Sequence, residues 1–416
     1  MTLSTPEALP LAERAGPAPS AALGGALLYL PDAAALRLAA RPVGGRTLTV
    51  RNLVAALSAG ASVIAVPSIL RSAAVERALT RIPALATAVR WLEPGSRPPA
   101  GPPDQPWLLV PATSLVQASI LQELITPAAP PEGAVLAATA TGPAPVAVLP
   151  RAAVGALWSR LAAGTPVGAS LARLLQDGEA QVRESTGLYV AVSDETARTR
   201  AERALFDALG IEADTGIDRY FHRRCSRWIT RLLMGTPVTP NQISMVSLAF
   251  GSVAIWCFWR ATPLSALWGV ILYAMASIVD HADGEIARLT FQESRFGAHL
   301  DWAIDTLIHS GLVLGMAVTA GGQLMLLGGL LGALGVTLSA LFARHLPPEA
   351  EVGAEAGGLL KVLGSRDLVY ALLLSFVAFR WLAPSLLHPL AVVVAVGSQA
   401  YWIACLARIY RSRRGR

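Results

Sequence analysis

The feature that most limits the fold of this chain is a series of long apolar stretches confined to its second half. Between Thr239 and Tyr410 six such segments can be marked: Gln242–Trp259, Leu264–Val279, Trp302–Thr319, Leu324–Leu341, Leu368–Leu382 and Pro389–Leu406. A bilayer-spanning helix needs about 20 predominantly apolar residues, so the shorter segments must recruit their flanks. Over all 416 residues only 15% are charged, against roughly a quarter in a soluble domain. The sequence therefore predicts a soluble half followed by an all-α domain of six transmembrane helices. Arg224 and Arg227 precede the first segment, Arg288 and Arg295 lie between the second and third, and Arg344, Lys361 and Arg366 lie between the fourth and fifth. A last cluster from Arg408 to Arg416 follows the sixth, whereas the opposite loops hold only Arg260 and Arg380. With six spans every basic loop falls on one side, which the positive-inside rule makes the cytoplasm. The expectation is a multi-pass inner-membrane protein whose soluble half faces the cytoplasm. The net charge of +6 then meets anionic lipid headgroups rather than nucleic acid. Cys225, Cys257 and Cys405 have no metal or disulfide spacing, which fits a reducing compartment.

Residues 1–22 are expected to be a disordered N-terminus, and with no basic region before an apolar core they do not read as a signal peptide. Residues 23–212 alternate strand and helix patterns. Strands are expected at Ala26–Leu30, Ala61–Pro67, Trp107–Pro111, Ala134–Ala137 and Leu188–Val192, with helices at Val50–Ser58, Ala73–Thr80, Leu115–Ile125 and Thr196–Leu209. Such alternation predicts an α/β domain on a mostly parallel sheet. Gly44-Gly45-Arg46-Thr47-Leu48, then Arg51-Asn52-Leu53 and Ala59 to Val66, resemble the opening of the sugar-1-phosphate nucleotidyltransferases. In place of that family's Gly-rich nucleotide loop stands Leu30-Pro31-Asp32-Ala33-Ala34-Ala35-Leu36-Arg37, whose alanines obstruct close backbone approach to phosphate. In place of its metal aspartate stands Pro111-Ala112-Thr113. The expectation is a nucleotidyltransferase-like domain that has lost its chemistry. Residues 213–238 mix Tyr220, Phe221, Trp228, Ile229 and Leu232 with arginines, as in a helix lying in the membrane interface.

Residues 239–416 hold the chemistry. Between the second and third segments the chain reads Asp280-His281-Ala282-Asp283-Gly284-Glu285-Ile286-Ala287-Arg288, then eight residues, then Gly297-Ala298-His299-Leu300-Asp301-Trp302-Ala303-Ile304-Asp305. On helices, Asp280 and Asp283 share one face and Asp301 and Asp305 another. The two segments run in opposite directions, so both pairs meet at one membrane depth. Carboxylates so close repel one another unless cations sit among them, and oxygen donors suit Mg²⁺, Mn²⁺ or Ca²⁺. Two such ions could clamp a pyrophosphate, with Arg288 as a positive fork toward phosphate.

This pattern, D-x2-D-G-x2-A-R-x8-G-x3-D-x3-D from Asp280 to Asp305, resembles the signature of the CDP-alcohol phosphotransferases without a departure. Thr239-Pro240-Asn241 also looks like that family's entry to its first span. The resemblance implies Mg²⁺ or Mn²⁺ at Asp280, Asp283, Asp301 and the bordering Asp305, with Asp305 as general base. It implies a CMP pocket lined by Gly284, Ala287, Arg288, Thr239 and Pro240. The reaction implied transfers a phospho-alcohol from a CDP-alcohol, of CDP-diacylglycerol or CDP-inositol type, to a hydroxyl acceptor such as inositol phosphate, with CMP released. Family members commonly form homodimers. The pairing with an N-terminal nucleotidyltransferase-like domain resembles the bifunctional enzymes that make CDP-inositol and join it to inositol phosphate. Lys361, the only lysine, with Arg366 and Arg344, is a candidate for holding an acceptor phosphate, with ordinary positive flanking as the plain alternative. His281, His299 and Glu285 read as helix-surface groups, and Glu285 also as added charge behind the site. Two other functional classes use the same aspartates differently: a cation transporter, and a membrane anchor without catalysis.

Overall fold

A computed structural model describes residues 23–31, 35–99, 105–125, 133–139, 142–162, 167–209, 216–260, 262–345 and 364–414. The chain divides into two compact units, residues 9–208 and residues 209–416. Expectations placed on residues 1–22, on Asp32-Ala33-Ala34 and on Lys361 lie outside the described residues.

The first unit is built on strands β1 (Gly25–Tyr29), β2 (Ile64–Pro67), β3 (Val89–Leu92), β4 (Trp107–Pro111), β5 (Ala134–Thr139), β6 (Gly142–Leu149) and β7 (Ala180–Glu184). They form one sheet in the order β7-β5-β6-β4-β1-β2-β3. All neighbours are parallel except β6, which runs antiparallel to both β4 and β5. The expected α/β fold with a mostly parallel sheet is therefore present. β1 and β4 are buried along their whole length, as continuous apolar runs in covered parallel sheets should be. Leu27, Tyr29, Trp107, Leu109, Leu136 and Leu149 of these strands pack with Val154, Leu157 and Leu171.

Strands β3, β6 and β7 were not among the expected elements, and two expected segments take a different form. Leu115–Ile125 splits into a strand, Ser114–Val116, and a helix, Ala118–Ile125. Tyr189–Ala191 pairs with that short strand in a separate two-stranded sheet, not with the main one. Helix α1 (Leu48–Ser58) starts where Thr47 caps it, its hydroxyl accepting from the Val50 amide. α1 buries Asn52 completely, and the Asn52 amide donates to the carbonyls of Pro111 and Ser114, each at 2.8 Å. Asn52 thus fixes the end of β4 and the turn beyond it, where Ala112 and Thr113 are buried as well.

Among the described residues the second unit contains an amphipathic helix α2 (Arg223–Leu233) and six longer helices: α3 (Pro240–Trp259), α4 (Pro263–Thr290), α5 (Arg295–Ala320), α6 (Gln323–Ala343), α7 (Arg366–Leu382) and α8 (Leu387–Arg414). A π-helical turn, Asp218–His222, leads into α2. Tyr220, Phe221, Trp228 and Leu232 are exposed around it, the disposition of an interfacial helix. Among the described residues five helices, not six, are long and apolar enough to cross a membrane. The exception is α7, whose 17 residues rise only about 25 Å against a hydrocarbon core of about 30 Å. Its apolar stretch is shortened by Arg366 and Asp367 at one end and Arg380 at the other. The bundle core joins Ala254 and Phe258 to Tyr273, Ile304, Ile308, Leu312, Tyr370 and Phe376. α3 and α5 approach closely at Gly251, where an added Cβ would lie 2.3 Å from the Ile308 side chain.

Two substitutions check these accounts. Asn52→Ala should remove both hydrogen bonds, cost about 1–3 kcal/mol and lower the first unfolding midpoint of the full chain. Gly251→Leu should lower the unfolding temperature of the detergent-solubilised protein through overpacking.

Candidate active site

The aspartates are brought together by one tight turn. α4 ends at Phe291, which adopts the left-handed conformation (φ 57°) and donates its N–H to the Ala287 carbonyl. Three residues later the Ser294 hydroxyl accepts from the Gly297 amide and starts α5. Reversal within so few residues lays the last turns of α4 beside the first turns of α5. Asp280, Asp283 and Asp301 each offer a carboxylate oxygen, and these oxygens lie within 4.8 Å of one another. Oxygen donors so disposed fit a hard divalent cation. Asp283 is further held by Ser244 of α3, whose hydroxyl donates to its Oδ2 at 2.5 Å.

A cleft of about 280 Å³ opens over this cluster. Asp283, Asp301 and Asp305 line it. Pro240, Asn241, Gly284, Ala287 and Arg288 line it as well, and so do Trp302, Thr306, His309, Ala340 and Arg344. The Arg288 Nε is buried without a hydrogen-bond partner among the described residues, so the guanidinium keeps capacity for an incoming anion. A Cβ at position 284 would touch that guanidinium, 3.4 Å from Nη1. Glycine at 284 therefore leaves the face of the fork clear. At position 297 a Cβ would come within 3.2 Å of the Asn241 amide oxygen, so glycine there lets α3 close against α5.

Behind the cleft two buried polar clusters tie the interfacial segment to the aspartate helices. Glu285 is 1% exposed and accepts from Ser226 (2.9 Å), Thr230 (2.7 Å) and Arg223 (3.3 Å). The second cluster centres on Arg366, which is 3% exposed. One terminal nitrogen donates to Asp280 Oδ2 at 2.5 Å and reaches Asp305 Oδ2 at 3.5 Å. The other lies 3.2 Å from His281 Nε2 and 3.7 Å from Asp218 Oδ1. Asp218 Oδ1 also accepts from His222 Nδ1 at 2.7 Å, and His222 Nε2 accepts from the Tyr370 hydroxyl at 2.9 Å. Burial pushes the Asp218 carboxyl up, but the His222 bond and the Arg366 guanidinium hold it well below the usual carboxylate range. Asp218, His222 and His281 also have the separation of a metal-ligand set, but Arg366 already supplies a cation among them.

The structure gathers Asp280, Asp283, Asp301 and Asp305 around one end of the cleft, with Gly284, Ala287, Arg288 and Pro240 in its wall. Thr239 acts from one step away: it caps α3, exchanging side-chain and backbone hydrogen bonds with Gln242. Arg344 lines the cleft, its guanidinium over the Trp302 ring at 5.3 Å. Arg366 lies behind the aspartates and is not among the cleft-lining residues. His281 is buried, unlike the helix-surface group the sequence implies, whereas His299 is exposed. Sequence reasoning missed Ser244, Asp218, His222 and His309. The His309 Nδ1 donates to the Asp305 carbonyl at 2.7 Å, and its Nε2 faces the Tyr273 hydroxyl at 2.9 Å. A polar residue inside an otherwise apolar span was the available signal for Ser244 and His309.

Known proteins are similar to this chain in sequence. Residues 237–403 match the model of the CDP-alcohol phosphatidyltransferase family. The bifunctional IPC transferase and DIPP synthase of Thermococcus kodakarensis is 30% identical over 141 residues, 33% of this chain and 32% of that protein. The protein of the same description from Archaeoglobus fulgidus is 31% identical over 122 residues, 29% of this chain and 24% of its own length. Archaetidylinositol phosphate synthase of Pyrococcus horikoshii is 27% identical over 187 residues, 45% of this chain and 89% of that protein. The chain thus spans a third or less of the two bifunctional relatives. The similarity to the CDP-alcohol phosphatidyltransferase family lies in the C-terminal half of this chain.

Proposed function

We propose that this chain transfers a phosphorylated alcohol from a CDP-alcohol to a hydroxyl acceptor and releases CMP, with Mg²⁺ or Mn²⁺ held by Asp280, Asp283 and Asp301. The observation that carries this reading is the convergence of three carboxylate oxygens within 4.8 Å beneath a cleft walled by Arg288. The bound cations would supply Lewis-acid charge to the pyrophosphate oxygens. Arg288 presents its fork to phosphate, and Pro240, Asn241, Gly284 and Ala287 form the wall against which CMP lies. Asp305 takes the proton from the acceptor hydroxyl as its oxygen bonds to phosphorus and the bond from phosphorus to the CMP oxygen breaks. Ser244 orients Asp283. Arg344, which lines the cleft, would hold the acceptor's phosphate, with Lys361 as a second candidate cation.

The name of the Pyrococcus relative, an archaetidylinositol phosphate synthase, favours inositol phosphate as acceptor. The donor is of CDP-diacylglycerol or CDP-inositol type. Basic flanks at Arg288, Arg295 and Arg344 support a cytoplasmic site. The first unit acts as a nucleotidyltransferase-like domain without that family's chemistry, since Pro111, Ala112 and Thr113 fill the position of the metal carboxylate. A cation path is disfavoured because α3, α6 and α8 contain no Asp or Glu, so the carboxylates do not continue across the membrane.

Purified protein in lipid should release CMP only when divalent metal, CDP-alcohol and acceptor are all present. CDP-diacylglycerol and CDP-inositol, tested in turn, identify the donor. No release with either, from folded protein that also fails to bind CMP, would leave the anchor reading. Asp305→Asn should lower kcat by about 100- to 10,000-fold while the unfolding temperature stays near that of the parent; an unchanged rate would remove Asp305 from proton transfer. Ser244→Ala should weaken the metal requirement's half-saturation by roughly tenfold, read as activity against Mn²⁺ concentration.

A further inference from the structure

The buried cluster behind the aspartates has no part in the transfer as written, yet it touches two of the residues that do. Arg366 donates to Asp280 at 2.5 Å and reaches Asp305 at 3.5 Å, while its other side faces Asp218 at 3.7 Å and His281 at 3.2 Å. Asp218 is completely buried, one of its oxygens bonded to His222, whose far nitrogen is bonded to Tyr370. Asp367, the next residue along α7, accepts from the backbone amides of Gly216 and Ile217 at 2.9 Å each. The start of α7 is therefore pinned to the 216–222 turn at two places, and Arg366 cannot swing toward the cleft without breaking its contact with Asp218. A guanidinium fully desolvated in this way keeps its charge, because arginine does not deprotonate in proteins. Cutting either side of such a network leaves an uncompensated buried charge.

We propose that Arg366 is a positioning residue, a resident counter-cation that is anchored from behind by Asp218 and His281 and that fixes the carboxylates of Asp280 and Asp305. This inference rests on the metal-dependent transfer proposed above and changes the role expected for Arg366, from a ligand of the acceptor phosphate to a support of the aspartates. Before metal arrives, its charge offsets carboxylates that would otherwise repel one another. Once metal is bound, it holds Asp280 and Asp305 in the orientations the reaction uses. Asp218, His222 and Tyr370 act through Arg366 and touch no substrate.

The test compares the full-length parent, Arg366→Gln, Arg366→Lys and Asp218→Asn, each in lipid nanodiscs. Unfolding temperature is read in chelator and in Mn²⁺, a measurement that needs no turnover and so stands apart from failure of the transferase reading. The expected result is a larger Mn²⁺-dependent rise in unfolding temperature for Arg366→Gln than for the parent, because its metal-free carboxylates lack their counter-charge. Kinetics should show kcat lowered by about 10- to 100-fold with the acceptor KM within twofold of the parent. Arg366→Lys should recover the thermal behaviour and part of kcat. Asp218→Asn keeps an acceptor for His222 and so should fold, yet it should lower kcat in the same direction as Arg366→Gln. A raised acceptor KM with unchanged kcat and an unchanged Mn²⁺ response would overturn the proposal and make Arg366 a phosphate ligand. Parent-like kinetics and Mn²⁺ response in Asp218→Asn would overturn the anchoring from behind.

Discussion

Carboxylates on two adjoining helices cannot share one end of a membrane bundle without compensating positive charge, and the arrangement of the second unit follows from that requirement. At separations of no more than 4.8 Å, each pair of negative charges repels by at least about 3 kcal/mol at an effective dielectric of about 20. Ionisable groups inside membrane helices are themselves costly to place. Both facts make the aspartate cluster a poor structural element and a good site for divalent cations. The protein compensates in layers: Ser244 satisfies Asp283, Arg366 pairs with Asp280 and reaches Asp305, and Asp218 in turn pairs with Arg366. A charge gradient thus runs from the cleft into the bundle, with each sign answered by the next.

That gradient explains why the segment leading into α3 is part of the site. Residues 216–233 show aromatic side chains to the outside and send Asp218, His222, Arg223, Ser226 and Thr230 inward. Glu285 receives three of these groups one residue after Gly284. α2 and α4, the helix that carries the first aspartate pair, are therefore locked by hydrogen bonds to a charged group, which are stronger than neutral ones. Any shift of α2 would be felt at Gly284 and Arg288.

Much of the site was legible in the sequence because helices repeat every 3.6 residues. Spacings of three and four put each aspartate pair on one face, and opposed spans bring the faces together. The supports were not legible, because Arg366 stands 61 to 148 residues from Asp305, Asp280 and Asp218, and Tyr370 stands 148 residues from His222. Span lengths were underestimated for a related reason. α4 continues eleven residues past Val279 to Thr290, and its polar turns are sustained by α2 and Ser244, not by lipid. In the first unit, apolar strands β1, β2 and β4 were read correctly. β7 was missed because its edge position leaves Gln181, Val182 and Glu184 exposed and removes the apolar alternation. β6 was missed because Pro143 and Pro145 argue against a central strand, and here they fall before the residues that pair with β4.

The central claim is that the aspartates form a cation site that serves transfer chemistry, and electron paramagnetic resonance of Mn²⁺ added to the lipid-embedded protein addresses it most directly. The account predicts a protein-bound Mn²⁺ signal that sharpens or shifts when CMP is added and that disappears in Asp283→Asn and Asp301→Asn. Folded parent protein whose Mn²⁺ spectrum stays that of the free ion, with and without CMP, would contradict it.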